Sequence, residues 1–441
     1  MIELNIKFIQ LVNKAVIVVF FFAAIFSRSF MGIYIFGFRI GELFVALSLF
    51  LFFYLILYNF KFVEKSFSKM MKASMFLILL YFFVLLNNTE GEYFALYTYK
   101  SSSYIWTLSF LILGLIVPKF KMSLKKAIIF EIIFMFIYFT SVFGYPVTLI
   151  NFFSNFSDKF EPHKGSDLAL VYILLLFFLL DLEDVKQSFY IYIVNSSLFF
   201  PLLLFRSRTA FFACVIVFLF AFLKYLSNLN LSLKEIITIV SLSLVLLTFS
   251  TINCQIENIE DDNPIPSDSI INSYSNLAEY RLKHFNSDLP LIFFNKGRVY
   301  SGDGNLNWRL DMWQDQLEDQ FEDGNLLSGS GFNKKFRIFT ENNTGYGNDR
   351  RGLDDLNEHL HNYFLNILSR GGVFHLIIYF SIYLFLLIHY KNKYKKVDIY
   401  FYIIPILLVS SFDSSMENSH FPLIFYYYLG NLFFAEEKTI N

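Results

Sequence analysis

The sequence predicts an all-α integral membrane protein of about twelve transmembrane helices, with one large, mainly helical loop subdomain outside the bilayer. Three observations predict it. The 441 residues are 56% hydrophobic, with a mean hydropathy of +0.50, more apolar surface than a soluble chain of this length can cover. Aromatics make up 20%, and the 59 Phe and 28 Tyr suit lipid-facing and interfacial positions. One polar stretch, from Asn253 to His361, interrupts an otherwise continuous succession of apolar runs.

The runs fall at about 10–27, 39–58, 73–88, 103–118, 126–144, 168–183, 188–205, 209–224, 235–253, 373–390, 399–412 and 420–435. Most approach the roughly 20 residues that a bilayer requires. The first run has no small-residue cleavage site after it, so it reads as a retained helix. Lysines then orient the array. Lys7 and Lys14 begin the first run, and Lys61, Lys65, Lys69 and Lys72 fill the second loop. Lys119, Lys121, Lys125 and Lys126 fill the fourth, Lys186 the sixth, and Lys391, Lys393, Lys395 and Lys396 the tenth, while Lys224 and Lys234 flank the eighth. With twelve helices every cluster lies on one side, which the positive-inside rule makes cytoplasmic. Both termini are then cytoplasmic. The opposite face carries Arg28, the loops at 90–103, 145–167, 206–208 and 413–420, and the polar stretch. The chain accordingly divides into helices one to nine (1–253), the periplasmic loop subdomain (254–361) and helices ten to twelve (362–441).

A net charge of −1 gives no field for nucleic acid. Two cysteines, Cys214 and Cys254, support neither a disulfide framework nor a zinc site. Chemistry on the outer face has no access to cytoplasmic ATP or nucleotide sugars, so an enzyme there needs a substrate that arrives activated.

Within the polar stretch, residues 257–296 are acidic and rich in Asn, Ser and Pro. "NLNWRLDMWQDQLEDQF" (305–321) spaces Leu310, Trp313, Leu317 and Phe321 as one face of an amphipathic helix. Arg309 lies close to that face, or pairs with Asp311 or Asp315 as exposed arginines usually do. Trp313 reads as a packing or interface anchor. "GNLLSGSGFNKKF" follows as a glycine-punctuated turn, and "ENNTGYGNDRRGLDD" as a loop. In "HLHNYFLNILSRGG" a short helix begins near His361 and ends at Gly371–Gly372.

His361 can take a proton from a sugar hydroxyl at neutral pH, or it can be a loop histidine bonded within the subdomain. His359 stands two residues away, so on a helix the two do not share a face and make no metal pair. Arg208 opens the eighth helix behind Ser207, a residue suited to the N-cap. A helix N-terminus with a planar guanidinium fork binds phosphate oxygens, although an interfacial arginine can also reach lipid headgroups. Arg206 and Asn362 stand beside these as supporting residues. The acidic clusters at 260–262 and 354–355 read as solvated loop. Two arginines can neutralise a diphosphate unaided, so no metal and no cofactor is expected.

"SRTA" (Ser207, Arg208, Thr209, Ala210), "RLDMW" (Arg309 to Trp313) with its "GSGF" turn, and "HNYFLNILSRGG" from His361 together resemble the O-antigen ligase and O-antigen polymerase superfamily. The resemblance covers the sixth to the tenth helix. It implies metal-independent, inverting transfer of a glycan from undecaprenyl diphosphate to an acceptor hydroxyl, on lipid A–core for a ligase or on a growing glycan for a polymerase. It implies His361 as the base, and Arg208 and Arg309 as the diphosphate-binding pair. His375 stands where the ligase pattern carries a glycine or other small residue. The "FEPHKGSD" loop also resembles the family's, with His163 and Lys164 near glycan or phosphate, or simply solvated. Location in the bacterial inner membrane follows from the same resemblance. The alternative of another class is a lipid-linked glycan transporter. That class places ionisable residues at the bilayer midplane, where this chain offers chiefly Glu42 and Glu131.

Overall fold

The computed structural model describes residues 6–58, 69–88, 96–116, 123–260, 292–295, 297–340 and 359–434. Lys61, Lys65, Lys119, Lys121, Asp261, Asp262, Asp354, Asp355, most of 257–296 and the 341–355 loop lie outside the described residues. The described chain is a multi-pass helical membrane protein, and each apolar run of the sequence lies on helix. Among the described residues six helices are long and apolar enough to cross a bilayer, the longest being Tyr363–Tyr394. Shorter apolar helices include Ile40–Tyr54, Gly165–Leu180 and Asp398–Ser410.

Burial separates the interior helices from the peripheral ones. Every residue from Gly165 to Leu179 is buried, so the Gly165–Leu180 helix runs through the middle of the bundle. The Leu233–Glu260 helix instead leaves Ile237, Val240, Leu244 and Val245 exposed, an apolar surface that only lipid would cover favourably. Glycines allow one very close approach. A β-carbon at Gly114 would lie 2.0 Å from the Tyr427 carbonyl oxygen, and one at Gly430 would lie 2.2 Å from that of Leu111.

The structure corrects two local expectations and bears out two others. The run at 103–118 is not one helix. It breaks into Ser103–Trp106, a 3₁₀ turn at Thr107–Ser109 and Phe110–Ile116, where Thr107 and Ser109 hydroxyls bond back to the Ser103 and Trp106 carbonyls. The loop at 145–167 contains a helix, Val147–Phe156. The helix expected near His361 opens at Tyr363: His361 itself has φ +50°, and Asn362 is the N-cap, accepting from Leu365 N at 3.0 Å. That short helix ends at the glycine pair as expected, since Gly372 is non-helical at φ +75° and ψ −177°, and a second helix follows across the kink to Tyr394.

That bend explains both glycine motifs. Gly372 has φ +75°, a backbone conformation costly for any residue with a β-carbon. It also sits against the Leu327 carbonyl, 2.1 Å from where its own β-carbon would be. The carbonyls freed by the bend find partners in the "GSG" turn. Ser330 N donates to Ser369 O at 2.8 Å and Gly331 N to Arg370 O at 3.0 Å. Arg370, fully buried, returns the contact through the Lys334 carbonyl at 2.7 Å and the Tyr97 hydroxyl at 2.8 Å. The ring of His375 lies beneath Gly371 and 4.4 Å from the Tyr81 ring. The histidine that departs from the ligase pattern is therefore part of the core.

The amphipathic helix spans Gly304–Glu322, capped by Asp303. Its buried face is Met312, Gln316 and Gln320, with Trp313 and Leu317 of the expected face packed against the same cluster, whereas Phe321 is 68% exposed. Gln320 Nε2 donates to Ser369 O at 3.2 Å, on the bent helix. Strands Phe293–Asn295 and Arg298–Tyr300 pair antiparallel beside this helix.

The loops that the lysine count places on one face meet at one end of the bundle. Gly32 accepts from Asp158 N at 3.0 Å, Ser101 Oγ donates to Phe332 O at 2.5 Å, and Ser166 Oγ to Asp413 at 2.5 Å. Trp313 Nε1 donates to Leu360 O at 2.7 Å, which seats the amphipathic helix on the same cluster. At the helix ends opposite, Lys186 pairs with Glu235, and Lys224 with Asp398 at 3.2 Å.

Candidate functional site

Where the loops meet they enclose a cavity of about 700 Å³. Its wall carries Arg28, Arg39, Lys100, Lys159 and Lys164 as cations, Glu42, Asp158 and Glu417 as acids, and three histidines, His359, His361 and His420. The N-terminal elements supply Arg28 and Arg39. Arg39 ends the Tyr34–Ile35/Phe38–Arg39 hairpin and pairs with Glu42 at 3.1 Å and Asp158 at 3.1 Å. Arg28 reaches Glu161 at 3.4 Å, and Lys164 reaches it at 3.0 Å. Burial pushes the Glu161 carboxyl up, but Lys164, Lys159 and Arg28 outweigh it and hold the pKa below the usual range.

His361 lines this cavity, set by its left-handed backbone and by the Trp308 ring 5.4 Å away, edge to face. Burial, and after it the charge of Arg309, pushes the imidazole down to about 4. The imidazole is therefore neutral at pH 7.

Arg309 stands beside His361. Its guanidinium donates to the Phe412 carbonyl at 2.5 Å, and its Nε is buried without a hydrogen-bond partner. No described carboxylate lies within ion-pair reach of it. The pairing with Asp311 or Asp315 is corrected, because Arg298 holds both, at 3.2 and 2.5 Å. Arg337 likewise takes Asp319, Glu322 and Asp323. Burial pushes the Arg309 pKa down, and the charges of Asp413 and Asp303 offset part of that.

Arg208 is 70% exposed and reaches Asp303 at 3.4 Å, so it stands over the N-cap of the helix that carries Arg309, outside the cavity wall. Ser207 is the N-cap of Arg208–Leu226, accepting from Ala210 N at 3.3 Å. Arg206 donates to the Ser141 carbonyl at 2.9 Å, toward a neighbouring helix. The structure thus brings His361, His359 and Arg309 together, links Arg208 to them through Asp303, and turns Arg206 elsewhere. His163 is buried as a strut between the Tyr145 hydroxyl and the Ala24 carbonyl, each at 3.0 Å, whereas Lys164 faces the cavity.

Sequence reasoning missed the loop "FDSSMENSH" (412–420) as a source of site residues. Asp413 binds Ser166 and Ser415, and its charge acts on both His361 and Arg309. Glu417 is buried, pairs with His359 Nδ1 and accepts from Asn366 Nδ2 at 2.7 Å. His420 Nε2 contacts Asp167 at 2.9 Å. Two carboxylates and a histidine in one short connection between apolar runs was the available signal.

The family model described as O-antigen ligase matches residues 193–380, which supports the O-antigen ligase and polymerase superfamily and ligase- or polymerase-type activity. The matched segment ends within the bent helix and contains Arg208, Arg309, His359 and His361. No curated protein matches the chain.

Proposed function

Taking residues 193–380 as an O-antigen ligase-type segment of a multi-pass membrane enzyme, we propose that the protein moves a glycan from undecaprenyl diphosphate to a hydroxyl of lipid A–core. The reaction takes place at the periplasmic face of the bacterial inner membrane. The observation that carries the reading is Arg309, a guanidinium with a buried, unpartnered Nε and no described carboxylate at ion-pair distance, beside a neutral histidine on a cation-rich cavity. A buried cation that its nearby carboxylates do not pair directly is costly unless a ligand supplies the missing contact. A diphosphate leaving group develops the charge that such a site stabilises, and this stabilisation is the largest catalytic contribution.

In this reading the diphosphate lies toward Arg309, with Arg208 at the outer edge. The acceptor hydroxyl approaches the histidine wall, where His361 carries the resemblance to the family base. Displacement from the face opposite the diphosphate inverts the anomeric centre. About twelve spans, cytoplasmic termini and a periplasmic loop subdomain belong to the same proposal. A polymerase uses the same chemistry with a growing glycan as acceptor.

The test is transfer from undecaprenyl-diphosphate oligosaccharide to lipid A–core by purified protein in liposomes. His361→Ala is expected to lose transfer while still inserting and folding. Wild-type rates in both His361→Ala and Arg309→Lys would remove this site from the reaction.

A further inference from the structure

The wall residues that precede the family-matched segment form a ladder of charges separate from Arg309. Arg28 and Arg39 share Asp158, at 3.7 and 3.1 Å, and Arg39 also holds Glu42 at 3.1 Å. Arg28, Lys159 and Lys164 converge on Glu161 at 3.4, 3.7 and 3.0 Å. Arg28, Arg39, Lys159 and Lys164 thus share Glu42, Asp158 and Glu161, four cations to three carboxylates. All four cations line the cavity, and their side chains are 23–55% exposed, within reach of a ligand. Carboxylates divided in this way leave guanidinium donors and net positive charge for a further anion. His420 completes the wall. Its Nε2 donates to the Asp167 carboxylate at 2.9 Å, and its buried Nδ1 has no hydrogen-bond partner. With the hydrogen on Nε2, the neutral ring offers Nδ1 as an acceptor for a hydroxyl.

We infer that Arg28, Arg39 and Lys164 bind an anionic substituent of the acceptor, a phosphate or carboxylate on a sugar that does not itself react, with His420 accepting from a hydroxyl beside it. The inference rests on the transferase reading and names its acceptor as an acidic glycan. His361 feels the charge of both Arg309, which lies off the cavity wall, and Lys164, which lies on it. Inverting displacement puts acceptor and leaving group on opposite sides of the anomeric carbon. With the diphosphate toward Arg309, the wall at Arg28 and Arg39 falls to the acceptor. Asp158 and Glu161 compete with the acceptor's anion for the same donors. Burial, Arg309 and then Lys164 lower the His361 pKa, against the charge of Asp413, so an anion bound at Lys164 makes His361 the stronger base.

Transfer kinetics in the full-length protein in liposomes test this, with two soluble acceptors as probes. One is an oligosaccharide carrying a phosphate monoester, the other its neutral, dephosphorylated form. The wild type is expected to show a KM about tenfold lower for the charged acceptor, a preference that shrinks as salt rises. Arg28→Gln with Arg39→Gln should cut that preference to below about threefold. Glu161→Gln keeps the shape, releases three cations and should enlarge the preference, which gives an answer even where the double variant fails to fold. The fraction of folded enzyme does not enter a KM ratio, so a merely structural ladder would leave it unmoved. Equal KM values in the wild type, a preference that survives the double variant, or one that Glu161→Gln abolishes overturns the inference. So does a rise in the donor's KM alone, which gives the wall to the diphosphate. A KM that follows the anionic phospholipid content of the liposome gives it to lipid headgroups, with the same consequence. In each of those cases transfer continues and the transferase reading stands. Absence of wild-type transfer to either acceptor overturns both.

Discussion

The two ends of the helix bundle treat charge differently. At one end Lys186 meets Glu235, and Lys224 meets Asp398, pairs with at least one half-exposed side chain that water and salt screen. At the other end Glu417 is buried, Asp167 and His420 face each other under cover, and Arg309 has no described carboxylate at ion-pair distance. The first arrangement can be removed with little consequence. The second holds electrostatic energy that folding alone leaves unsatisfied, and a charged substrate is the simplest partner that completes it.

The largest expected effect tests that contrast directly. Arg309→Lys should lower kcat by about 10³-fold, because an ammonium cannot keep the Phe412 carbonyl and still offer a fork to a diphosphate. Steady-state transfer assays check it, and a rate within threefold of wild type would place the leaving group elsewhere. Next comes the support beneath the site. Gly372→Ala combines positive φ with a collision against the Leu327 carbonyl, and should cost about 2 kcal/mol or more. Thermal unfolding in detergent measures it, and an unchanged midpoint would mean that the bend and the "GSG" turn are not coupled.

Acid should weaken the site end selectively. The folded pKa of His361 lies near 4, below its ordinary value of 6.5, and burial lowers that of His163 in the same direction. The unfolded chain therefore binds these protons more readily. The contribution is intact above pH 6.5 and is lost as pH falls toward about 4. Thermal midpoints measured from pH 7 to 4 should fall, and fall less in His361→Gln. The smallest effect belongs to the other end. Lys224→Ala should leave transfer unchanged and stability within about 1 kcal/mol. A large loss of transfer there would erase the distinction between the ends.

Much of the site region was legible in linear order. Arg208, Arg309 and His361 could be picked out because arginine and histidine are costly near a membrane and because their neighbours carry a family resemblance. Their separate fates were not legible. Whether Arg309 pairs with the acids around it depends on Arg298, which a hairpin brings across to take those same carboxylates. Asp413 and Glu417 were overlooked because a short polar loop says nothing of what it packs against.

The sequence by itself determined a helical membrane protein with its polar chemistry gathered on one face, since hydrophobic run length and lysine placement are one-dimensional properties set by the bilayer. Tertiary structure alone decided which buried groups find partners. The bend at Gly372, the seating of Glu417 on His359 and the isolation of Arg309 each depend on residues tens to hundreds of positions apart. Burial turns those contacts from weak surface pairs into strong ones, and linear order does not encode burial.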